Sequence, residues 1–167
     1  MAEACCVPVA PRGDDATTGI CPHCGRCGRP VALATVQAQV AISLRTLMVE
    51  GYRFCATAHC PSVYFTAGGQ RIERQQLRER VFQKEPVDDV LVCYCFRYSV
   101  GTLQRSSSAE HAAILADIVA GTQQGQCACE SRNPQGSCCL GNIRRLIQDV
   151  SASRLNSTEV RDDATGH

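Results

Sequence analysis

The sequence has few of the side chains from which a large apolar core is built. Aromatic residues make up only 5% of the 167 residues, and tryptophan is absent. A conventional core is therefore hard to assemble, and small domains often recruit metal ions to compensate. The length allows one ordinary domain or two small ones, and the shortage of aromatics favours the small ones.

The sequence also lacks a strong charge of one sign, long apolar runs and catalytic arrangements of side chains. The net charge of +1 gives no electrostatic basis for binding nucleic acid or an anionic membrane surface. No stretch approaches a membrane span, and residues 1–15 contain no apolar run of signal-peptide length. No Ser/His/Asp or paired-carboxylate arrangement stands out, and His111 is expected on a helix surface. We therefore expect no enzyme, apart from one-electron chemistry toward a bound metal.

Cysteine, by contrast, is abundant, with 13 residues in the chain. They lie in close groups, which are Cys5-Cys6, Cys21-x2-Cys24-x2-Cys27, Cys55-x4-Cys60, Cys93-x-Cys95, Cys127-x-Cys129 and Cys138-Cys139. The odd count and the close spacing disfavour disulfides. Thiolates are soft ligands that suit zinc, copper(I) and iron–sulfur centres, so we predict a reduced, cytoplasmic metalloprotein.

The pattern along the chain predicts an α+β protein in two halves. A flexible, Cys-containing tail spans 1–18, a β-rich, zinc-ribbon-like subdomain spans 19–86, a helical subdomain spans 87–151, and a disordered tail spans 152–167. Short β-prone runs and a hairpin-type turn mark the first half, at Val31–Gln37, Tyr52–Cys55, Ser62–Thr66 and 67–70. Residues 38–49 fit either a short helix or a covered strand. The charged segment 84–89, which contains Pro86, is the expected linker.

The second half carries the start signals of helices. Ser99 is a plausible N-cap for a helix to Arg105, and Ser107 or Ser108 for a longer helix over 109–122. A further amphipathic helix is expected over 141–150.

The first group of cysteines has the spacing of a zinc site. Cys21 and Cys24 flank a turn, and Cys55 and Cys60 lie at a second chain reversal, as in zinc ribbons, where two such corners complete a tetrahedron. The alternative is that Cys55 is simply a buried apolar cysteine. Cys27 is a spare thiol that could compete with Cys24. His23 and His59 are adjacent but are not needed as ligands, because four thiolates complete the site.

The second group suits an iron–sulfur cluster. Cys93 and Cys95 precede a helix, and Cys138 and Cys139 open the last helix, where free amides can hydrogen-bond to anionic sulfur. A 2Fe–2S cluster takes four thiolates, two on each iron. A second zinc ion is the alternative for these cysteines.

The residues also carry a resemblance to a known family. "VCYCF" and "GQCACESRNPQGSCCLGNIRRLI" resemble the iron–sulfur module of the N-terminal domain of CopZ-type copper metallochaperones, and "CPHCG" with "YRFCATAHCPSVYF" resemble its zinc-binding part. The resemblance covers about residues 20–150 and extends to bacterioferritin-associated ferredoxin, a helix-turn-helix-like module. It implies that Cys21, Cys24, Cys55 and Cys60 bind zinc. It implies that Cys93, Cys95, Cys127 and Cys139 bind the 2Fe–2S cluster, with Cys129 and Cys138 as alternates.

The sequence therefore predicts a 2Fe–2S and zinc-binding metallochaperone or redox protein for a soft ion, copper or mercury. Its expected partners are a metal transporter or a heavy-metal-associated domain protein, and a redox partner. The chain lacks the Gly-Met-Thr-Cys-x2-Cys loop of the heavy-metal-associated domain. Cys5 and Cys6 are candidate cargo thiols, because adjacent cysteines on a tail suit two-coordinate capture of a soft ion; the alternative is an incidental exposed pair. An electron-transfer ferredoxin serving an oxidoreductase and a zinc-stabilised metal or redox sensor are the alternatives.

Overall fold

The computed structural model of the protein describes residues 19–49 and 51–162. Its strands and helices are, in chain order, β1 (Arg29–Pro30), α1 (Leu33–Gln39), β2 (Arg53–Phe54), β3 (Ser62–Phe65), β4 (Arg71–Glu73), β5 (Leu91–Cys93), β6 (Tyr98–Ser99), α2 (Val100–Arg105), α3 (Ser108–Gln123), α4 (Cys129–Arg132) and α5 (Leu140–Asp162). Short 3₁₀ turns lie at Leu44–Thr46 and Arg74–Gln76. The α+β class expected from the sequence is confirmed.

The first half is built on one antiparallel sheet in the order β1-β2-β3-β4. Thr66 closes the β3–β4 hairpin by donating its amide to the Gln70 carbonyl, with Gly69 at a φ of +84°. That left-handed conformation is open to glycine without strain, which is why the predicted hairpin turn forms at 67–70. Phe54 and Tyr64 pair across the sheet and form the centre of its core.

The strand predicted at Val31–Gln37 is wrong. Only Arg29–Pro30 pairs with the sheet, and Leu33–Gln39 is helical. Val36 and Val40 are four residues apart and both fully buried, which is the spacing of one helix face rather than of a strand. The 38–49 segment, expected to be a short helix or a covered strand, instead holds the end of α1 and one 3₁₀ turn.

The second half is helical after the β5–β6 hairpin, and its predicted caps are confirmed. The Ser99 hydroxyl accepts from the Thr102 amide at the start of α2. Ser107 and Glu110 form a reciprocal capping box at the start of α3. These bonds satisfy amides that a helix leaves without intrahelical partners.

Two expectations for this half need correction. His111 is buried rather than on the surface, and its Nε2 lies 2.7 Å from the Leu103 carbonyl of α2. Helix α5 continues to Asp162, past the expected end at residue 150 and into the segment predicted to be disordered. No glycine or proline occurs between 151 and 162 to stop it.

The two halves are packed against each other. Helix α1 lies on α4, and Gln39 donates its side-chain amide to the Ser131 carbonyl at 2.7 Å. The Tyr64 hydroxyl donates to the Pro134 carbonyl at 2.6 Å. Lys84, expected in an open linker, is instead buried. In the described part of the chain, no helix has the length and apolarity needed to cross a membrane.

Candidate metal centres

The first cysteine group is brought together by two turns beside the sheet. The turn before β1 is closed by the Gly25 amide, which donates to the Cys21 carbonyl, and Gly25 has a φ of +68°. Cys55 follows β2, and Cys60 lies just before β3. β2 and β3 are neighbours in the sheet, and the sulfurs of Cys55 and Cys60 each lie beside the sulfur of a cysteine in the first turn.

The four sulfurs of this group have the separations of a tetrahedral metal site. Cys21 Sγ lies 3.8 Å from Cys60 Sγ, and Cys24 Sγ lies 3.6 Å from Cys55 Sγ. All four Sγ atoms are within 4.8 Å of one another. A tetrahedron with zinc–sulfur distances of about 2.3 Å has edges of about 3.8 Å. The donor set therefore fits a zinc ion in number, chemistry and spacing.

The protonation of these thiols depends on burial and on local donors. Burial raises the pKa of Cys60 to about 12 and also raises that of Cys21. Burial acts in the same direction on Cys24, but its hydrogen bonds with the Thr57 side chain and the Arg26 backbone outweigh burial and lower the pKa to about 6. A metal cation must therefore displace protons from the buried thiols, which makes its affinity rise with pH.

The residues adjacent to this group lie outside its set of four converging sulfurs. His23, Cys27 and His59 are all exposed. Cys27 is not among the four cysteines whose sulfurs converge, and its Sγ lies 3.8 Å from the Gly28 carbonyl. Sequence reasoning missed two groups near these sulfurs, the Thr57 hydroxyl beside Cys24 and the Lys84 ammonium beside Cys55.

The second cysteine group forms pairs rather than one converging set. Cys93 ends β5, Cys129 begins α4, and Cys139 directly precedes α5. Cys95 Sγ lies 3.7 Å from Cys129 Sγ and accepts a hydrogen bond from the Ala128 amide at 3.3 Å. Burial and the nearby Cys95 raise the pKa of Cys129 to about 12.

Cys93 and Cys139 form the other pair. Their thiols interact, and this interaction is the main cause that lowers the pKa of Cys93 to about 7. The same interaction, together with burial, raises the pKa of Cys139. The interaction thus favours the loss of one proton from the pair and, together with burial, opposes the loss of the second.

Comparison with known proteins identifies the fold that carries both groups. The chain is similar to the X-ray structure of the Archaeoglobus fulgidus CopZ N-terminal domain, with 30% sequence identity and a TM-score of 0.59. The match covers 76% of this chain and 96% of that one. The chain belongs to the family of CopZ N-terminal domains. No curated protein matches it.

The zinc-binding part of the CopZ family is also recognised on its own. Residues 18–78 match the family zf_CopZ, described as a zinc binding domain. This stretch contains the whole converging group of cysteines and all four strands of the larger sheet. The chain is thus a CopZ-like metal-binding protein with a zinc-binding domain in its first half.

The remaining described thiols of this CopZ-like chain are Cys127 and Cys138. Together with Cys129 they line a surface cleft of about 590 Å³. Cys127 is half-buried and Cys138 is exposed. The structure places Cys129, which the sequence analysis gave as an alternate, beside Cys95. Cys5 and Cys6 lie outside the described residues.

Proposed function

We propose that this chain holds a structural zinc ion and a 2Fe–2S cluster. It acts as a metallochaperone or redox protein for a soft metal ion, and copper is the first ion that we assign to it. The observation that carries the proposal is that two separate sets of four thiols differ in geometry. In one set all four sulfurs lie within 4.8 Å of one another, whereas in the other the sulfurs of Cys95 and Cys129 form a close pair and the thiol of Cys93 interacts with that of Cys139. Each geometry suits a different centre.

The zinc ion is assigned to Cys21, Cys24, Cys55 and Cys60. Support comes from the sulfur separations near a tetrahedral edge and from the match of residues 18–78 to a zinc binding domain. Closed sites of four thiolates are typical of structural rather than catalytic zinc.

The cluster is assigned to Cys93 and Cys139 on one iron and to Cys95 and Cys129 on the other. Two thiolates per iron are what a 2Fe–2S cluster requires. The Cys95–Cys129 separation is that of two ligands on one tetrahedral metal, and the Ala128 amide donates to one of them. A second zinc ion would instead need all four sulfurs to converge, as they do in the first group.

The cargo thiols are assigned to Cys127 and Cys138, which this ligand set leaves free. Both open to the same cleft beside Cys129, so an ion bound there lies next to the cluster thiols. Two thiolates suffice for copper(I) or mercury(II). A 2Fe–2S cluster supplies one electron at a time, which is the difference between copper(II) and copper(I). A metal transporter or a heavy-metal-associated domain in the cytoplasm is the expected recipient.

A copper(I) competition assay tests the cargo assignment. Copper(I) is titrated anaerobically into metal-loaded protein against the chromophoric chelator bicinchoninate. The parent and the matched control Cys27→Ser should withdraw about one copper(I) per chain, and Cys127→Ser/Cys138→Ser should withdraw none while keeping its cluster absorbance. Equal binding by the double variant would move the cargo site to other thiols, with Cys5 and Cys6 the first to test. A parent that binds copper(I) only by losing its cluster would favour the electron-transfer interpretation.

A further inference from the structure

Lys84 is a buried cation between the two halves. Its side chain is 5% exposed, and it is the only lysine in the sequence. Lysine is almost never fully buried unless its charge is paired. Its surroundings therefore have to supply the negative charge.

The partner of Lys84 is the zinc group. Its Nζ donates to Cys55 Sγ at 3.6 Å and to the Thr57 carbonyl at 2.8 Å. Within the described residues, no carboxylate lies at ion-pair distance from Lys84. A zinc ion with four thiolates carries a net charge of −2, so the counter-charge that Lys84 requires is that of the loaded site.

Hydrogen bonds within its own segment and from the second half of the chain fix the backbone around Lys84. The Lys84 amide donates to the Val81 carbonyl at 2.9 Å. The Tyr94 hydroxyl accepts from the Phe82 amide at 3.1 Å and donates to the Arg80 carbonyl at 2.7 Å. Tyr94 lies between Cys93 and Cys95 in the sequence, so it belongs to the second half of the chain. Its hydrogen bonds therefore fix the backbone of residues 80–84, the segment that places Lys84 beside the metal site of the first half.

We propose that Lys84 is the charge partner of the zinc thiolates and protects the zinc ion from displacement by electrophiles and soft metal ions. A hydrogen bond from a cation withdraws electron density from the Cys55 thiolate and lowers its nucleophilicity. The same hydrogen bond also stabilises the negative charge on the metal-bound thiolate. This inference rests on the zinc assignment in the proposed function. It gives the chain a means of keeping zinc in place while cargo ions bind elsewhere.

Variants of Lys84 test this role through zinc release. Zinc-loaded protein is treated with iodoacetamide, and released zinc is followed with a coloured chelator. Lys84→Met, which keeps the length and loses the charge, should release zinc at least about tenfold faster, the effect expected of one lost charge-assisted hydrogen bond. Lys84→Arg should stay close to the parent. Arg80→Met removes an exposed cation from the same segment and should change nothing.

The result that overturns the inference is a Lys84→Met variant that folds, holds zinc and releases it at the parental rate. A parent that holds no zinc at all would overturn the zinc assignment as well, so the two failures can be told apart.

The unmodified protein gives a second test, which does not depend on a variant folding. Because Lys84 is the only lysine, Lys84 and the amino terminus are the only amines that an acylating reagent can convert to a stable amide, and mass spectrometry of the Lys84 peptide reports that product. Acylation of Lys84 should be slow in the zinc-loaded protein and at least about tenfold faster after zinc removal, as the charged partner is lost. Equal rates in both states would contradict the pairing.

Discussion

Cys95 and Cys129 lie with their sulfurs 3.7 Å apart, and the amide of Ala128 donates to the first of them. Helix α4 begins at Cys129, so the residue that meets Cys95 is the first of the helix rather than Cys127, two residues earlier. This contact decides which thiols we assign to the cluster and which we leave for cargo.

We expect Cys129→Ser to abolish the visible absorbance of the anaerobically purified protein, because one iron would keep a single protein thiolate. Cys127→Ser is the matched control and should retain the absorbance and the iron. Iron content and the visible spectrum of the two variants check this. The opposite pattern would restore Cys127 as the ligand, as expected from the sequence.

The contact between the halves should contribute measurably to stability. The Tyr64 hydroxyl is fully buried and donates to the Pro134 carbonyl. Tyr64→Phe leaves that carbonyl without its partner, which should lower the free energy of unfolding by about 1–3 kcal/mol. The control is Tyr98→Phe, whose hydroxyl donates to an exposed Asp117 and whose loss should cost about 0.5 kcal/mol or less. Thermal or denaturant unfolding measures both. Equal losses would mean that the Tyr64 contact does not join the halves in solution.

The two centres should be separable, because their ligands are sequential in the chain and their cores are distinct clusters. We expect Cys21→Ser to release zinc and to increase amide exchange in residues 20–84, while most of the cluster absorbance remains. Zinc analysis, hydrogen exchange and the visible spectrum follow the three effects. Simultaneous loss of zinc and cluster would show that one cooperative unit carries both centres.

The zinc group and the helix caps could be predicted from the sequence because each depends on local chemistry. Two cysteines across a turn and two more at the next reversal define the first group without knowledge of the fold. In the same way, Ser107 with Glu110 three residues later defines a helix start. Such patterns are recognisable wherever they occur in a chain.

The features that were missed depend on tertiary neighbours. The apolar run at 31–37 suits a strand or a helix equally, and the burial of Val36 with Val40 in the core decides for the helix. The charged segment around Lys84 and Pro86 suggests a linker, whereas in the structure the ammonium of Lys84 is buried and donates to the Cys55 sulfur and the Thr57 carbonyl. His111 is on a helix as expected, but its ring is buried and contacts the carbonyl of Leu103 on α2.

The metal and sulfide content of the anaerobically purified protein tests the central claim most directly. The two sets of four thiols predict about two irons, about two acid-labile sulfides and about one zinc per chain, in a coloured protein. A colourless protein with about two zinc ions and no labile sulfide would contradict the account, because the paired thiols of the second half would then hold a second zinc.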